Sequence, residues 1–83
     1  MTLDRLQAAG RIVIGTKQTT KAVKTKEAKF VFVAQDAESR IVNPIVDLCR
    51  EQQIEVIEVP QMVELGKACG IKVGAAMAAV IEE

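Results

Sequence analysis

The chain has 83 residues, 49% of them apolar, and its 11 basic and 11 acidic side chains leave no net charge. A chain of this length forms one domain, residues 1–83, and buries about 60 to 65% of the surface its unfolded form exposes. The sequence has no run of about 20 apolar residues, as a membrane span requires, and its start lacks the pattern of a signal peptide, so we expect a cytoplasmic protein.

The first half of the chain alternates between the helical and the strand pattern of apolar residues. A helix is predicted over residues 2–9, with Thr2 as its cap and Gly10 at its end. The run RIVI, residues 11–14, predicts a short strand, and residues 16–24 predict a second helix. The inner side of the second helix consists of Thr19, Ala22 and Val23.

The run KFVFVA, residues 29–34, is β-branched and aromatic on both faces, which predicts a central strand covered on both sides. The only aromatic residues, Phe30 and Phe32, lie two apart in this run and are expected in the core. An RNA-binding surface that stacks bases needs exposed aromatic rings. Any RNA recognition must therefore rely on polar contacts and on the shape of the RNA.

The second half continues the alternation. Asn43 followed by Pro44 is typical of a cap and the first residue of a helix, so we expect a helix to begin there. The run IEVIEV, residues 54–59, predicts a strand, and residues 61–69 predict a helix that Gly70 caps. Strands that alternate with helices of about ten residues indicate a three-layer α/β/α sandwich.

The final segment, GAAMAAVIE at residues 74–82, is ambiguous. Its residue types favour a helix, whereas its position after a predicted helix favours a strand. Propensity alone does not decide between the two.

Charge is unevenly distributed along the chain. Residues 1–29 carry seven basic and two acidic side chains, a net charge of +5, and residues 30–83 carry four basic and nine acidic ones, a net charge of −5. A nucleic-acid binder without sequence preference is usually basic throughout. The asymmetry instead predicts one basic face that orients a polyanion.

The segment IGTKQTTKAVKTK, residues 14–26, contains four lysines and no acid. If Gly15 and Thr16 open a helix, its free N–H groups and positive dipole end form a site for an anion. Lys17 and Lys21 lie one turn apart on such a helix, with Gln18 beside them. The alternative interpretation is a solvated, lysine-rich helix face.

Lysine and glutamine suit RNA recognition for different reasons. Lysine can donate to O6 and N7 of guanine, and glutamine can both donate and accept at a base edge. Lys24 and Lys26 lie further along the segment and are better placed for phosphates.

Signals for catalysis, metals and cofactors are weak. The chain has no histidine and no tyrosine, and it has no C-x-x-C motif or nucleophile elbow. The segment LGKACG lacks the first glycine and the final Ser or Thr of a phosphate-binding loop. Cys49 and Cys69 are expected to be buried thiols, with a ligand or redox role as the lesser alternative. We therefore expect no catalytic residue, metal or cofactor.

Three segments together resemble the ribosomal L-seven-Ae superfamily of kink-turn RNA-binding proteins, and most closely its small bacterial YbxF-like members. They are GTKQTTKA at residues 15–22, AKFVFVAQDA at 28–37 and VPQMVELGKACGIKVGAA at 59–76. The resemblance covers nearly the whole chain. It implies an α/β/α sandwich with a mixed four-stranded sheet, in which the ambiguous final segment is a strand.

The resemblance also implies a site in two parts. Members bind a sharply bent RNA built on tandem sheared G·A pairs, through a helix that reads guanines and a loop that covers the bases at the bend. In this chain Gly15 and Thr16 start the recognition helix, and Lys21 matches the family's lysine. Lys17 and Gln18 hold places where archaeal and eukaryotic members usually have Asn and Glu.

The covering loop is carried over in the same way. It comprises Ile71, Lys72, Val73 and Gly74, where relatives often show Ile, Glu, Val and Pro. Leu65 and Gly66 belong to the helix that holds this loop. Because Lys17 and Lys72 add charge, we expect binding to be more electrostatic than in archaeal members.

The resemblance implies a non-catalytic, monomeric protein whose partner is structured RNA containing a kink-turn, such as ribosomal RNA, a riboswitch or another non-coding RNA. Association with the ribosome is expected, and contact with a membrane is not. The alternative is a protein-interaction adaptor on a ribosome or ribonucleoprotein, in which the fold persists and base reading has weakened.

Overall fold

The computed structural model describes residues 6–82. Its elements are β1 (Arg11–Ile14), α1 (Thr16–Lys24), β2 (Phe30–Ala34), α2 (Ser39–Glu51), β3 (Glu55–Val59), α3 (Met62–Ala68) and β4 (Met77–Glu82). The helix predicted from Thr2 lies largely outside the described residues; within them, Leu6 and Gln7 are helical. None of the helices in the described part of the chain is long and apolar enough to span a membrane.

The four strands form one mixed sheet in the order β1-β4-β2-β3. β4 is antiparallel to both β1 and β2, and β2 is parallel to β3, so β1, β2 and β3 all run in one direction. Their carboxyl ends therefore meet at one edge, where β4 begins; we call it the carboxyl edge. Open sheets of this type bind their ligands at that edge.

Helices cover both faces of the sheet. On one face, buried side chains of α1 and α2, including Val23 and Ile45, pack against Val31 and Val33 of β2. On the other face, Leu65 of α3 and Leu6 pack against the side of β2 that carries the phenylalanines. The predicted α/β/α sandwich with a mixed four-stranded sheet is confirmed, and the final segment is a strand.

All five residues of β2 are buried, as predicted for a central strand. Phe30 and Phe32 lie in the core, with their ring centroids 5.6 Å apart and their planes inclined at 66°. This edge-to-face arrangement is the favourable geometry for an aromatic pair. Neither ring is available to stack on a base.

The predicted start of α2 is wrong. The helix begins at Ser39, so that Pro44 lies inside it rather than at its first position. Pro44 lacks an N–H, so the carbonyl of Arg40 loses its helical donor, a defect that costs about 3 kcal/mol in a helix interior. Burial of Ile45 and Cys49 on the inner face of α2 offsets this cost. The Asn-Pro pair is a local signal and carries no information about this packing.

Candidate nucleic-acid interface

Gly15 forms the turn between β1 and α1. Its φ of 97° and ψ of 162° lie in a region that is essentially restricted to glycine. Its N–H donates to the carbonyl of Met77 (3.0 Å), and its carbonyl accepts the N–H of Thr19 (3.0 Å). An added Cβ would meet no atom within 4 Å, so the backbone conformation, not crowding, requires glycine here.

The start of α1 presents donors to solvent at the carboxyl edge. Gly15 has no side chain to cap the helix, and the first turn carries no acidic residue. The first N–H groups of a helix have no intrahelical acceptor, and the dipole places partial positive charge there. This end of α1 can therefore accept an anion.

The outward face of α1 is basic. Lys17, Lys21 and Lys24 recur at a helical spacing and are all exposed; we call them the lysine stripe. None of the three is in an ion pair with another described residue. The opposite face is buried, and it consists of the three predicted residues Thr19, Ala22 and Val23.

Gln18 is exposed beside the lysine stripe, on the side that faces β1. With Lys21 and Arg11 it lines an open groove of about 160 Å³ between the helix and the strand. Lys26, by contrast, lies beyond the end of α1 with a φ of 63°. The structure therefore brings Lys17, Gln18, Lys21 and Lys24 together and leaves Lys26 outside the helix.

The covering loop, Ile71–Gly74, begins at a defined helix end. Gly70 has a φ of 82°, its N–H donates to the carbonyl of Lys67 (3.0 Å), and the N–H of Ile71 donates to that of Gly66 (3.0 Å). These two bonds form a Schellman motif. They confirm Gly70 as the left-handed cap of α3.

Two glycines let the loop lie directly on α3. A Cβ on Gly66 would come within 2.0 Å of the carbonyl oxygen of Val73, and one on Gly74 within 3.0 Å of the Cβ of Met62. At Gly66 the clashing atom is backbone, so only glycine fits. The close contact fixes the path of the loop before any partner is bound.

The loop presents an apolar and a basic side chain to solvent. Val73 is 71% exposed, and Lys72 and Gly74 are also exposed, whereas Ile71 is half-buried. Leu65 is fully buried, so it supports the loop from beneath and has no surface to offer a ligand.

Val63 is an exposed apolar residue next to the candidate site that the sequence analysis did not single out. It is 56% exposed and lies one turn before Gly66 on α3, the helix on which Val73 rests. In the sequence it is one apolar residue of an amphipathic helix. Only the path of the loop shows that Val63 and Val73 lie along the same part of α3.

The two parts of the candidate site meet at the carboxyl edge. The N–H of Gly15 is bonded to Met77, the first residue of β4, and the N–H of Ala75, just after the covering loop, donates to the carbonyl of Met62 (3.0 Å). Of the predicted site residues, only Leu65 is buried. The others are at least partly exposed, either at the carboxyl edge or further along α1.

Two acidic residues at the same edge form hydrogen bonds with other protein groups. Asp36 Oδ1 accepts a hydrogen bond from the N–H of Met62 (2.8 Å), and Glu58 Oε2 accepts one from Nε2–H of Gln35 (2.6 Å). Both acids lie on the β2 and β3 side of the edge, away from α1. On the side of β1 and α1, Glu82 pairs with Arg11 (3.6 Å) and Glu27 lines the groove beside Lys21, so the acids there lie toward the opposite edge of the sheet from the start of α1.

The cysteines do not form a site. Cys49 belongs to the core beneath α1 and α2, whereas Cys69 packs on the opposite face of the sheet, and both are free thiols. Burial raises the pKa of each thiol. Among residues 6–82, no group of three potential metal ligands lies together.

Comparisons with known proteins place the chain in a family. Residues 1–83 match the Ribosomal protein L7Ae/L30e/S12e/Gadd45 family. An RNA-binding protein of Halalkalibacterium halodurans is 46% identical over 80 residues, which cover 96% of this chain and 98% of that one. The RNA-binding protein YbxF of Geobacillus stearothermophilus is 44% identical over 81 residues, covering 98% and 99%.

A solved structure has the same fold. The Giardia lamblia 15.5kD RNA binding protein superposes with a TM-score of 0.88 at 23% identity, covering 99% of this chain and 72% of that chain. The fold and the match over the full sequence agree. The chain belongs to the Ribosomal protein L7Ae/L30e/S12e/Gadd45 family.

Proposed function

We propose that the protein binds RNA without catalysis and recognises kink-turns, the sharply bent elements built on tandem sheared G·A pairs. One observation carries the proposal: a helix start with free donors and a preformed loop with exposed apolar surface lie at the same edge of the sheet. The names of the bacterial relatives, which are RNA-binding proteins, support the first half of the proposal.

The lysine stripe and Gln18 supply the polar contacts. Lys21 and Gln18 border one groove and read the guanine edges, since an ammonium donates to O6 and N7 and an amide both donates and accepts. Lys17 and Lys24 contact phosphates on either side. The free N–H groups after Gly15 receive a phosphate oxygen at the positive end of the helix.

The covering loop supplies the apolar contact. Val73 and the exposed part of Ile71 cover the bases unstacked at the bend, and Lys72 lies beside them. Both phenylalanines of the chain are buried, so no aromatic ring stacks on RNA. Recognition then depends on the shape of the RNA, which suits a rigid bend better than a flexible single strand.

We further propose that the partner is a structured RNA of the cytoplasm, such as ribosomal RNA, a riboswitch or another non-coding RNA. The protein acts as a monomer and associates with the ribosome. The even balance of charge over the chain supports selective over general binding, because a sequence-blind binder is usually basic throughout.

The decisive experiment is a titration with two RNAs: a kink-turn, and the same RNA with its G·A pairs replaced by Watson–Crick pairs. We expect tight binding to the first and a loss of at least about a hundredfold for the second. Equal, weak and salt-sensitive binding to both would contradict kink-turn recognition. That result would favour the adaptor on a ribonucleoprotein.

A further inference from the structure

Asp36 is an exposed acid at the carboxyl edge, in the turn that follows β2. Its Oδ1 accepts the N–H of Met62, at 2.8 Å and 26 residues along the chain. Gln61, which occupies the cap position of α3, makes no side-chain bond to the helix. The first turn of α3 therefore receives its cap from another loop.

α3 depends on such anchors because it is only seven residues long, and helices this short are not stable on their own. Its end is closed by the turn at Gly70. Its start is held by Asp36, whose carboxylate accepts one of the N–H groups that have no acceptor within the helix.

Met62 connects that cap to the covering loop. Its N–H is bonded to Asp36, its carbonyl accepts the N–H of Ala75 (3.0 Å), and its Cβ lies where a Cβ on Gly74 would crowd it. A displacement of Met62 therefore moves both the end of the covering loop and the residue that follows it.

We propose that Asp36 is a positioning residue for RNA binding: its carboxylate holds the first turn of α3 and, through Met62, sets the covering loop. This inference rests on the proposed function. A carboxylate repels an approaching phosphate, so the charge of Asp36 by itself would lower the affinity for RNA. Its positioning of the loop would raise that affinity. The two can be separated by substitution.

The test compares Asp36→Asn with Asp36→Ala. Asparagine removes the charge and keeps an acceptor oxygen that can cap the helix, whereas alanine removes both. We expect Asp36→Ala to weaken binding of the kink-turn RNA about fivefold, as for the loss of one cap, and Asp36→Asn to stay within about twofold of the parent. Tighter binding by both variants, or equal loss in both, would overturn the proposal.

A double-mutant cycle tests whether Asp36 affects RNA binding through the covering loop. If Asp36 acts through the loop, Asp36→Ala has little further effect in a Val73→Ala background and its full effect in a Lys21→Ala background. The same loss in both backgrounds would overturn the route. Far-ultraviolet circular dichroism and thermal unfolding verify that each variant is folded at the assay temperature.

A readout without RNA keeps this inference separate from the proposed function. Amide hydrogen exchange in the free protein should be about fivefold faster at Ala75 in Asp36→Ala and near the parent rate in Asp36→Asn. The amide of Gly15, bonded to Met77, is the internal control and should not change. Unaltered exchange at Ala75 would overturn the positioning role whatever RNA the protein binds.

Discussion

The N–H of Gly15 donates to the carbonyl of Met77 at 3.0 Å, which ties the start of α1 to the first residue of β4. The covering loop precedes β4 by two residues. The start of β4 therefore lies next to both the start of α1 and the covering loop, although more than fifty positions separate the helix start from the loop in the sequence.

Gly15→Asn should destabilise the protein by about 1 to 3 kcal/mol, because residue 15 has a φ of 97° and a ψ of 162°, which side chains disfavour. The matched control is Gly70→Asn, since asparagine is often found in the left-handed cap of a helix. Urea unfolding of both variants checks this. Equal destabilisation would show that the backbone at Gly15 has no special requirement.

Gly66→Ala should weaken RNA binding more than it lowers the free energy of unfolding. The new Cβ would come within 2.0 Å of the carbonyl oxygen of Val73, so the loop must move away from α3, at a cost of about 1 to 3 kcal/mol. Glu64→Ala, an exposed change on the same helix, is the control. Parent-like affinity in Gly66→Ala would mean that the loop does not contact RNA.

Lys21→Ala should cost about 1 to 3 kcal/mol of binding free energy if Lys21 reads a guanine edge. Lys29→Ala provides the matched control, since Lys29 is also exposed but directly precedes β2, at the opposite edge of the sheet. Titration of the kink-turn RNA measures both. A similar loss in the two variants would assign Lys21 to general charge attraction.

Binding should weaken with salt. If three or four lysines neutralise phosphates, the logarithm of the binding constant should fall with that of the salt concentration at a slope of about −2 to −4. Lys17→Ala should make the slope less steep by about one. Affinities measured at several potassium chloride concentrations test this, and a flat response would contradict the expected role of the lysines.

The thiols should be slow to react, and the fold should lose stability in alkali. Burial raises the pKa of both Cys49 and Cys69, so the folded state keeps protons that the unfolded state releases above the ordinary thiol pKa. Stability is therefore lost as the pH rises from that value through the raised one. Unfolding measured against pH should show a shallower alkaline loss in the double Cys→Ala variant, with RNA binding unchanged near neutral pH.

Sequence signals that act within a few residues predicted much of the fold. Gly15 and the lysines after it gave the bounds of α1 and its buried face, because helix spacing alone determines which side of that segment is apolar. The last strand required the resemblance, since its alanines and valine fit a helix equally well. Pro44 misled the prediction because the packing of Ile45 and Cys49 outweighs a local defect.

Contacts between distant segments could not be predicted from periodicity. The bond from Met62 to Asp36 and the approach of Val73 to Gly66 depend on how α3 lies on the sheet. The same holds for Val63, whose exposure has no local signature. For the candidate site, the sequence identified the residues of the helix and the loop, and the structure added the groups that hold the loop in place.

The position of β4 between β1 and β2 has a consequence for how the domain assembles. Among the strands of residues 6–82, β1 pairs with β4 alone. This pairing joins Arg11 to Glu82, and a closure over so many residues is slow and entropically costly. Gly15 finds its anchor only after that closure. A chain in which β1 and β4 have not yet paired therefore lacks the bond from Gly15 to Met77, and the start of α1 is anchored only once segments from opposite ends of the described chain have come together.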